Sequence, residues 1–176
     1  RMTGPNGLIT DYTFDDFGRP LTETLPDGTV TSTSYALCSG ACAVNGITLP
    51  ASYKITTTRT GAPTAVAYFD RLGRNFTSQV TNFDGTQVLR GYKEFDVIGR
   101  ATKEYIPTSG ALGAYSQYGY DVLGRVIETK SPHPTAGGGT FGGTSTIAYA
   151  PLKITTTNAK GEVTEQTLNS EGQKIQ

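Results

Sequence analysis

Phe69-Asp70-Arg71-Leu72-Gly73-Arg74 decides how this chain is read, because it returns as Phe14-Asp15-Asp16-Phe17-Gly18-Arg19, Phe95-Asp96-Val97-Ile98-Gly99-Arg100 and Tyr120-Asp121-Val122-Leu123-Gly124-Arg125. A motif found four times in 176 residues is architecture, not an active site. Self-similarity at a period of a few tens of residues marks a repeat protein, whose units bury surface by stacking on their neighbours. Asp at the start of a tight turn bonds backbone N–H groups two residues on, and Gly supplies the positive φ that closes the turn. The motif therefore predicts strand, turn, strand. Asp15, Asp70, Asp96 and Asp121 start the turns, and Gly18, Gly73, Gly99 and Gly124 close them. Arg19, Arg74, Arg100 and Arg125 open the next strands and reach back to the carboxylate or tie neighbouring strands.

A second turn signal alternates with the first: Pro5-Asn6-Gly7, Pro26-Asp27-Gly28 and Phe83-Asp84-Gly85. Each unit then holds two hairpins, joined by strands of about seven to ten residues. Gly73 to Gly99 is 26 residues and Gly99 to Gly124 is 25, whereas Gly18 to Gly73 is 55, so one motif in that interval has been altered. Tyr35 keeps the aromatic place, but Ala36 stands where Asp is expected and Cys38-Ser39-Gly40-Ala41-Cys42 follows. A Cys-bearing loop over residues 36–46 replaces the turn. Lys54-Ile55-Thr56-Thr57-Thr58 recurs as Lys153-Ile154-Thr155-Thr156-Thr157, and Asn169-Ser170-Glu171-Gly172 is a worn copy of the motif. Between them a glycine-rich loop spans residues 135–144; its composition belongs to flexible surface.

The fold class follows. Gly is 22 of 176 residues, Trp is absent, and no segment carries a helical apolar stripe, so the chain reads as all-β, an antiparallel ribbon of hairpins. Leu21, Glu23 and Leu25 oppose Thr22 and Thr24, and Phe76, Ser78 and Val80 oppose Thr77, Gln79 and Thr81. Neither face is cleanly apolar, which predicts a sheet wetted on both sides and stabilised by ladders and cross-strand pairs. The repeat is already running at Pro5, and residues 1–176 read as one repeat region within something longer.

Aromatic-Asp-x-x-Gly-Arg, with Pro-Asp-Gly between copies, resembles the YD repeat of bacterial Rhs proteins, toxin-complex BC components and, more distantly, teneurins. The resemblance covers almost the whole chain and implies a β-ribbon that spirals into a hollow shell enclosing a C-terminal toxin domain. It implies as partners the remainder of the parent shell, the enclosed toxin and delivery-apparatus proteins, and as location the outside of a bacterium or an injected state. Family members that cleave their own chain use an Asp-rich motif whose Asp-Pro-x-Gly core does not occur here, so this segment is expected to lack both protease and toxin.

The chemical candidates are few. Fifteen basic against fifteen acidic residues leave no electrostatic footprint for nucleic acid, and no run of 18 apolar residues spans a membrane. Cys38 and Cys42 suit a local disulfide, free thiols or half a metal site. His133, the single histidine, lies between Pro132 and Pro134 and reads as a rigid exposed loop with no nucleophile placed beside it. No catalytic residue, cofactor site or metal site is expected, and the Asp residues are explained by turns rather than by paired-carboxylate chemistry. Asn75-Phe76-Thr77 has the form of an N-glycosylation acceptor, relevant only in an animal relative. The alternative function is an extracellular carbohydrate-binding or adhesion module, in which Tyr12, Tyr92, Tyr105, Tyr115, Tyr118 and Tyr120 would stack on sugar rings.

Overall fold

A computed structural model describes residues 1–39, 42–133 and 139–175. No helix occurs among them. Contacts divide the chain into two units, Arg1–Tyr92 with Pro107–Ala111, and Lys93–Ile106 with Leu112–Gln176.

The first unit holds β1 (Met2–Thr3), β2 (Ile9–Phe14), β3 (Pro20–Thr24), β4 (Val30–Leu37), β5 (Cys42–Val44), β6 (Ile47–Leu49), β7 (Tyr53–Arg59), β8 (Thr64–Phe69), β9 (Asn75–Thr81) and β10 (Gln87–Arg90). Eight of these form one antiparallel sheet in the order β1-β2-β3-β4-β7-β8-β9-β10, and β5 and β6 form a hairpin of their own. The second unit holds β11 (Lys93–Phe95), β12 (Ala101–Tyr105), β13 (Tyr115–Tyr120), β14 (Val126–Pro132), β15 (Phe141–Ala150), β16 (Lys153–Thr157) and β17 (Val163–Thr167), a seven-stranded sheet in chain order. Most strands run five to seven residues, shorter than the repeat spacing suggested, because each turn takes five residues out of the interval.

Strand order equal to chain order is the consequence of turns at every strand end, since a short connection can only make the next strand a neighbour. The four motif turns share one register feature. Phe14 pairs with Pro20 but Thr13 pairs with Thr22, and the same one-residue shift occurs at Phe69, Phe95 and Tyr120. Leu21, Phe76, Thr102 and Ile127 are the extra residues of these bulges. A bulge re-aims the side chains beside it and tightens the local twist.

The first unit departs from the expectation of a sheet wetted on both sides. The cysteine segment does not form a plain loop: Ala36 and Leu37 complete β4, and residues 42–49 make the β5–β6 hairpin around Asn45 (φ 50°) and Gly46 (φ 78°). Asn45 Nδ2 donates to the carbonyl of Gln87 on β10 at 2.8 Å, so the hairpin enters beside β4 and β7 and its tip reaches β10. Val66, Gln79 and Leu89 share one face by direct pairing, as do Tyr68 and Thr77, and all five are buried. Val44 and Leu49 of the hairpin are buried with them, each about 1% exposed. Burying a Val or Leu side chain is worth about 1.5–3 kcal/mol. The polar members are satisfied: Tyr68 Oη donates to Gln79 Oε1 at 2.9 Å, and Thr77 Oγ1 donates to the carbonyl of Arg90 at 3.0 Å. On the opposite face Phe76 is sealed by an edge-on contact with Tyr92, ring centroids 5.7 Å apart. The second unit is closer to the expected wet sheet, with Ala114 as its one buried apolar side chain among the described residues.

Candidate functional site

All four motif turns have the same geometry. In the turn after β8, Asp70 Oδ1 accepts the backbone N–H groups of Leu72 (2.8 Å) and Arg74 (3.0 Å), and Oδ2 accepts Nε of Arg74 at 2.7 Å. Asp15 with Arg19, Asp96 with Arg100 and Asp121 with Arg125 repeat this set, each with its Nε donating at 2.7 Å. The backbone closes by the Asp N–H donating to the Arg carbonyl and the Gly N–H donating to the Asp carbonyl. Gly73 sits at φ 75° and Gly99 at φ 93°, in the left-handed region that glycine enters without strain.

The second turn signal builds the same loop. Leu25 N–H donates to Thr29 O, and Gly28 N–H to Leu25 O, but the side-chain acceptor has moved two places on, to Asp27. Asn82-Phe83-Asp84-Gly85-Thr86 does likewise. Asn169 Oδ1 accepts the N–H groups of Glu171 and Gln173 while its Nδ2 donates to Gln173 Oε1 at 2.9 Å, a neutral copy of the ion-paired turn. Asn158-Ala159-Lys160-Gly161-Glu162 makes another such turn and was not singled out from the sequence. Its signal was Asn three before Gly, the same offset as in the motif.

The arginines do more than close their own turns. The Arg19 guanidinium lies over the Tyr35 ring at 4.3 Å, Arg100 over Tyr120 at 4.5 Å, and Arg125 over Tyr149 at 4.1 Å. Each of those tyrosines sends its hydroxyl back to the residue after the Arg: Tyr35 to Pro20 O, Tyr120 to Ala101 O, Tyr149 to Val126 O. Every motif Arg in these pairs is thus held by the carboxylate of its own turn and capped by the aromatic of the next. Where Ala36 has replaced Asp, Tyr53 takes the Arg place in the ladder and stacks on Phe69 with parallel rings 4.8 Å apart. An Arg there would lack the turn carboxylate, and a tyrosine needs none.

Burial pushes the Asp70 carboxyl up, but the N–H groups of Arg74 and Leu72 and the Arg74 guanidinium outweigh it and hold the group below its ordinary value. Asp15, Asp96 and Asp121 are lowered by the same balance. Tyr105 is pushed up to about 12 by burial and by the hydrogen bond it donates to Glu94 Oε1.

The remaining candidates fall outside any common site. Cys38 and Cys42 form a disulfide at the base of the β5–β6 hairpin, with residues 40 and 41 outside the described residues. Of the glycine-rich loop expected over residues 135–144, residues 135–138 lie outside the described residues, and residues 141–144 are not loop but open β15, where they pair with β14. His133 donates its backbone N–H to Thr140 O. In the Asn75-Phe76-Thr77 triplet, Asn75 Nδ2 donates to the carbonyls of Tyr68 and Thr77, and Thr77 is buried, so the acceptor is engaged in the sheet. Among the described residues no cluster of three or more His, Cys, Asp and Glu side chains could hold a metal.

Residues 1–30 match the family model of the RHS Repeat. Three crystal structures share the fold: TcdB2-TccC3 (12% identity, TM-score 0.55), TcdB2-TccC3-TEV (11%, 0.58) and TcdB2-TccC3 without its hypervariable C-terminal region (11%, 0.59). Residues 1–30 thus carry an RHS Repeat, and the chain shares the fold of these structures. Each likeness covers 96% of this chain and 13–15% of the matched chain. No curated protein gives a significant match. The matched residues 1–30 hold the first motif turn with both flanking Pro-x-Gly turns.

Proposed function

We propose that this chain is a structural, non-enzymatic segment of an Rhs/YD-repeat shell that encloses and helps to deliver a C-terminal toxin domain of a bacterial secreted toxin. The observation that carries the reading is the Arg-to-aromatic ladder, in which each turn is completed by the next hairpin. Such a ladder extends a sheet without any limit set by the volume of a core, which is what a wall requires and a compact binding domain does not. The nearly coreless second unit supports the same reading, as does the small share of the TcdB2-TccC3 chains that this one spans. The carbohydrate-binding alternative needs aromatic faces free to stack on sugar. Of the tyrosines it would use, Tyr120 is capped by Arg100, Tyr92 meets Phe76 edge-on, and Tyr105 and Tyr115 pack on each other, which disfavours it.

The partners of the segment are then neighbouring turns of its own shell and the enclosed domain, and its location is outside the producing bacterium or inside the target. The test is limited proteolysis of the complete reading frame that contains this segment, read together with electron micrographs of the product. A C-terminal region that resists protease until the shell is unfolded supports the proposal. A C-terminal region digested as fast as the same region expressed alone overturns it.

A further inference from the structure

A cleft of about 550 Å³ in the first unit is lined by Arg19, Tyr35, Ala36, Leu37, Tyr53 and Ile55. In the second unit, Arg100 Nη1 donates to the backbone carbonyl of Asp121 at 3.2 Å, while the Asp121 carboxylate pairs with Arg125. After Tyr35 that carboxylate is missing, because the residue is Ala36. Arg19 is gripped as its counterparts are, by Asp15 at Nε and by the rings of Tyr35 and Phe17 on its faces. It makes no counterpart of the bond from Arg100 Nη1, and its side chain stays 47% exposed at the cleft.

From this we infer that the cleft is a binding site for an organic carboxylate carried on a flat apolar body, such as an aromatic acid. The carboxylate takes a charge-assisted hydrogen bond from the outer nitrogens of Arg19, which the Asp15 pair and the ring contacts hold in place. The body of the ligand lies against Leu37, Tyr53 and Ile55. Leu37 stands at the rim, 83% exposed. The volume falls within the range of small-molecule sites, about 300–1,000 Å³. A mainly apolar lining with one oriented cation selects an aromatic or aliphatic acid over a sugar acid, whose hydroxyls would lose water against Leu37 and Ile55.

The experiment is an NMR titration of the 176-residue chain with 2-naphthoate, with 2-naphthamide and glucuronate as comparisons. The expected result is saturable shifts at the Tyr35 and Tyr53 ring signals with naphthoate, about tenfold weaker binding of the uncharged amide, and no saturation with glucuronate. Ala36→Asp supplies a tethered carboxylate in the cleft wall and weakens naphthoate about tenfold, while Leu37→Ser weakens naphthoate and amide alike. Unchanged far-UV circular dichroism of both variants shows that the sheet persists. Equal affinity for naphthoate and naphthamide overturns the role of Arg19. Tighter binding of glucuronate overturns the apolar body, and shifts at residues away from the cleft overturn the site itself.

Discussion

Gly73→Val isolates the backbone requirement of the motif turn. At φ 75° a β-branched residue is in the left-handed region, which costs about 1–3 kcal/mol where the surroundings hold it there. Sterics add nothing: a Cβ at this position would meet Tyr53 Oη at 3.8 Å, an ordinary contact. The turn is over-determined by the Asp70 carboxylate, its two N–H donors and the Arg74 ion pair, so the loop cannot relax to a negative φ without giving these up. For a chain of this size about 1 kcal/mol moves the melting temperature by about 2–4 °C, so a fall of about 2–12 °C is expected by calorimetry or circular dichroism. Gly73→Asn is the companion variant, since Asn enters the left-handed region at small cost and should lose less than half as much. A melting temperature unchanged by valine, or an equal loss with asparagine, would refute the assignment of cost to φ.

The motif carboxylates are lowered when folded, so their stabilisation is complete above the ordinary Asp value of about 3.9 and is lost as pH falls through the lowered folded values. Melting temperature should therefore be flat from neutrality to about pH 4.5 and fall below that, and Asp96→Asn should flatten the acid limb. Leu49→Ala, at 1% exposure, should cost about 2–5 kcal/mol by opening a cavity beneath the β5–β6 hairpin, whereas Leu37→Ala, at 83%, should stay within about 0.5 kcal/mol in chemical denaturation. Reduction of Cys38–Cys42, or the double change to Ser, should cost no more than about 2 kcal/mol, because the closed loop is only five residues long. Amide exchange at Val44 and Gln87 should report that loosening first.

The turns were legible because their information is local: Asp, Gly and Arg at fixed offsets within six residues define acceptor, φ and ion pair together. The all-β class and the sequential strand order followed from the same punctuation. The ladder was not legible, because Arg19 and Tyr35 are 16 residues apart, Arg100 and Tyr120 are 20 apart, and Arg125 and Tyr149 are 24 apart. Those pairs share no fixed offset; what unites them is sheet adjacency, which only the folded register supplies. The buried patch was missed for a related reason. Val66 and Tyr68 alternate with Ala65 and Ala67 as on a half-wet strand, and the hairpin that covers them enters from 17 residues upstream at Leu49. One local signal was available there, since Asn45-Gly46 is a strong two-residue hairpin turn.

The two altered motifs show which halves of the unit serve which neighbour. Tyr35-Ala36 and Tyr149-Ala150 have both lost the Asp and kept the aromatic, and both Ala residues pair with the first residue of a Lys-Ile-Thr-Thr-Thr strand, Lys54 and Lys153. The Asp serves its own turn and becomes dispensable when that turn is replaced, by the disulfide hairpin in one case and by the Pro151-Leu152 turn in the other. The aromatic serves the unit before it, capping Arg19 or Arg125, and that unit is intact. The two halves should therefore separate energetically. Tyr149→Leu removes the cap on Arg125 and the hydroxyl bond to Val126 O, worth about 0.5–1 kcal/mol for the former and about 1 kcal/mol for the latter, and should speed exchange at the Asp121–Arg125 turn. Ala150→Asp touches only a turn that no longer uses a carboxylate and should stay within about 0.5 kcal/mol. Equal losses from the two changes, or faster exchange confined to the Ala150 side, would show that the aromatic stabilises its own hairpin and that the ladder does not link one unit to the next.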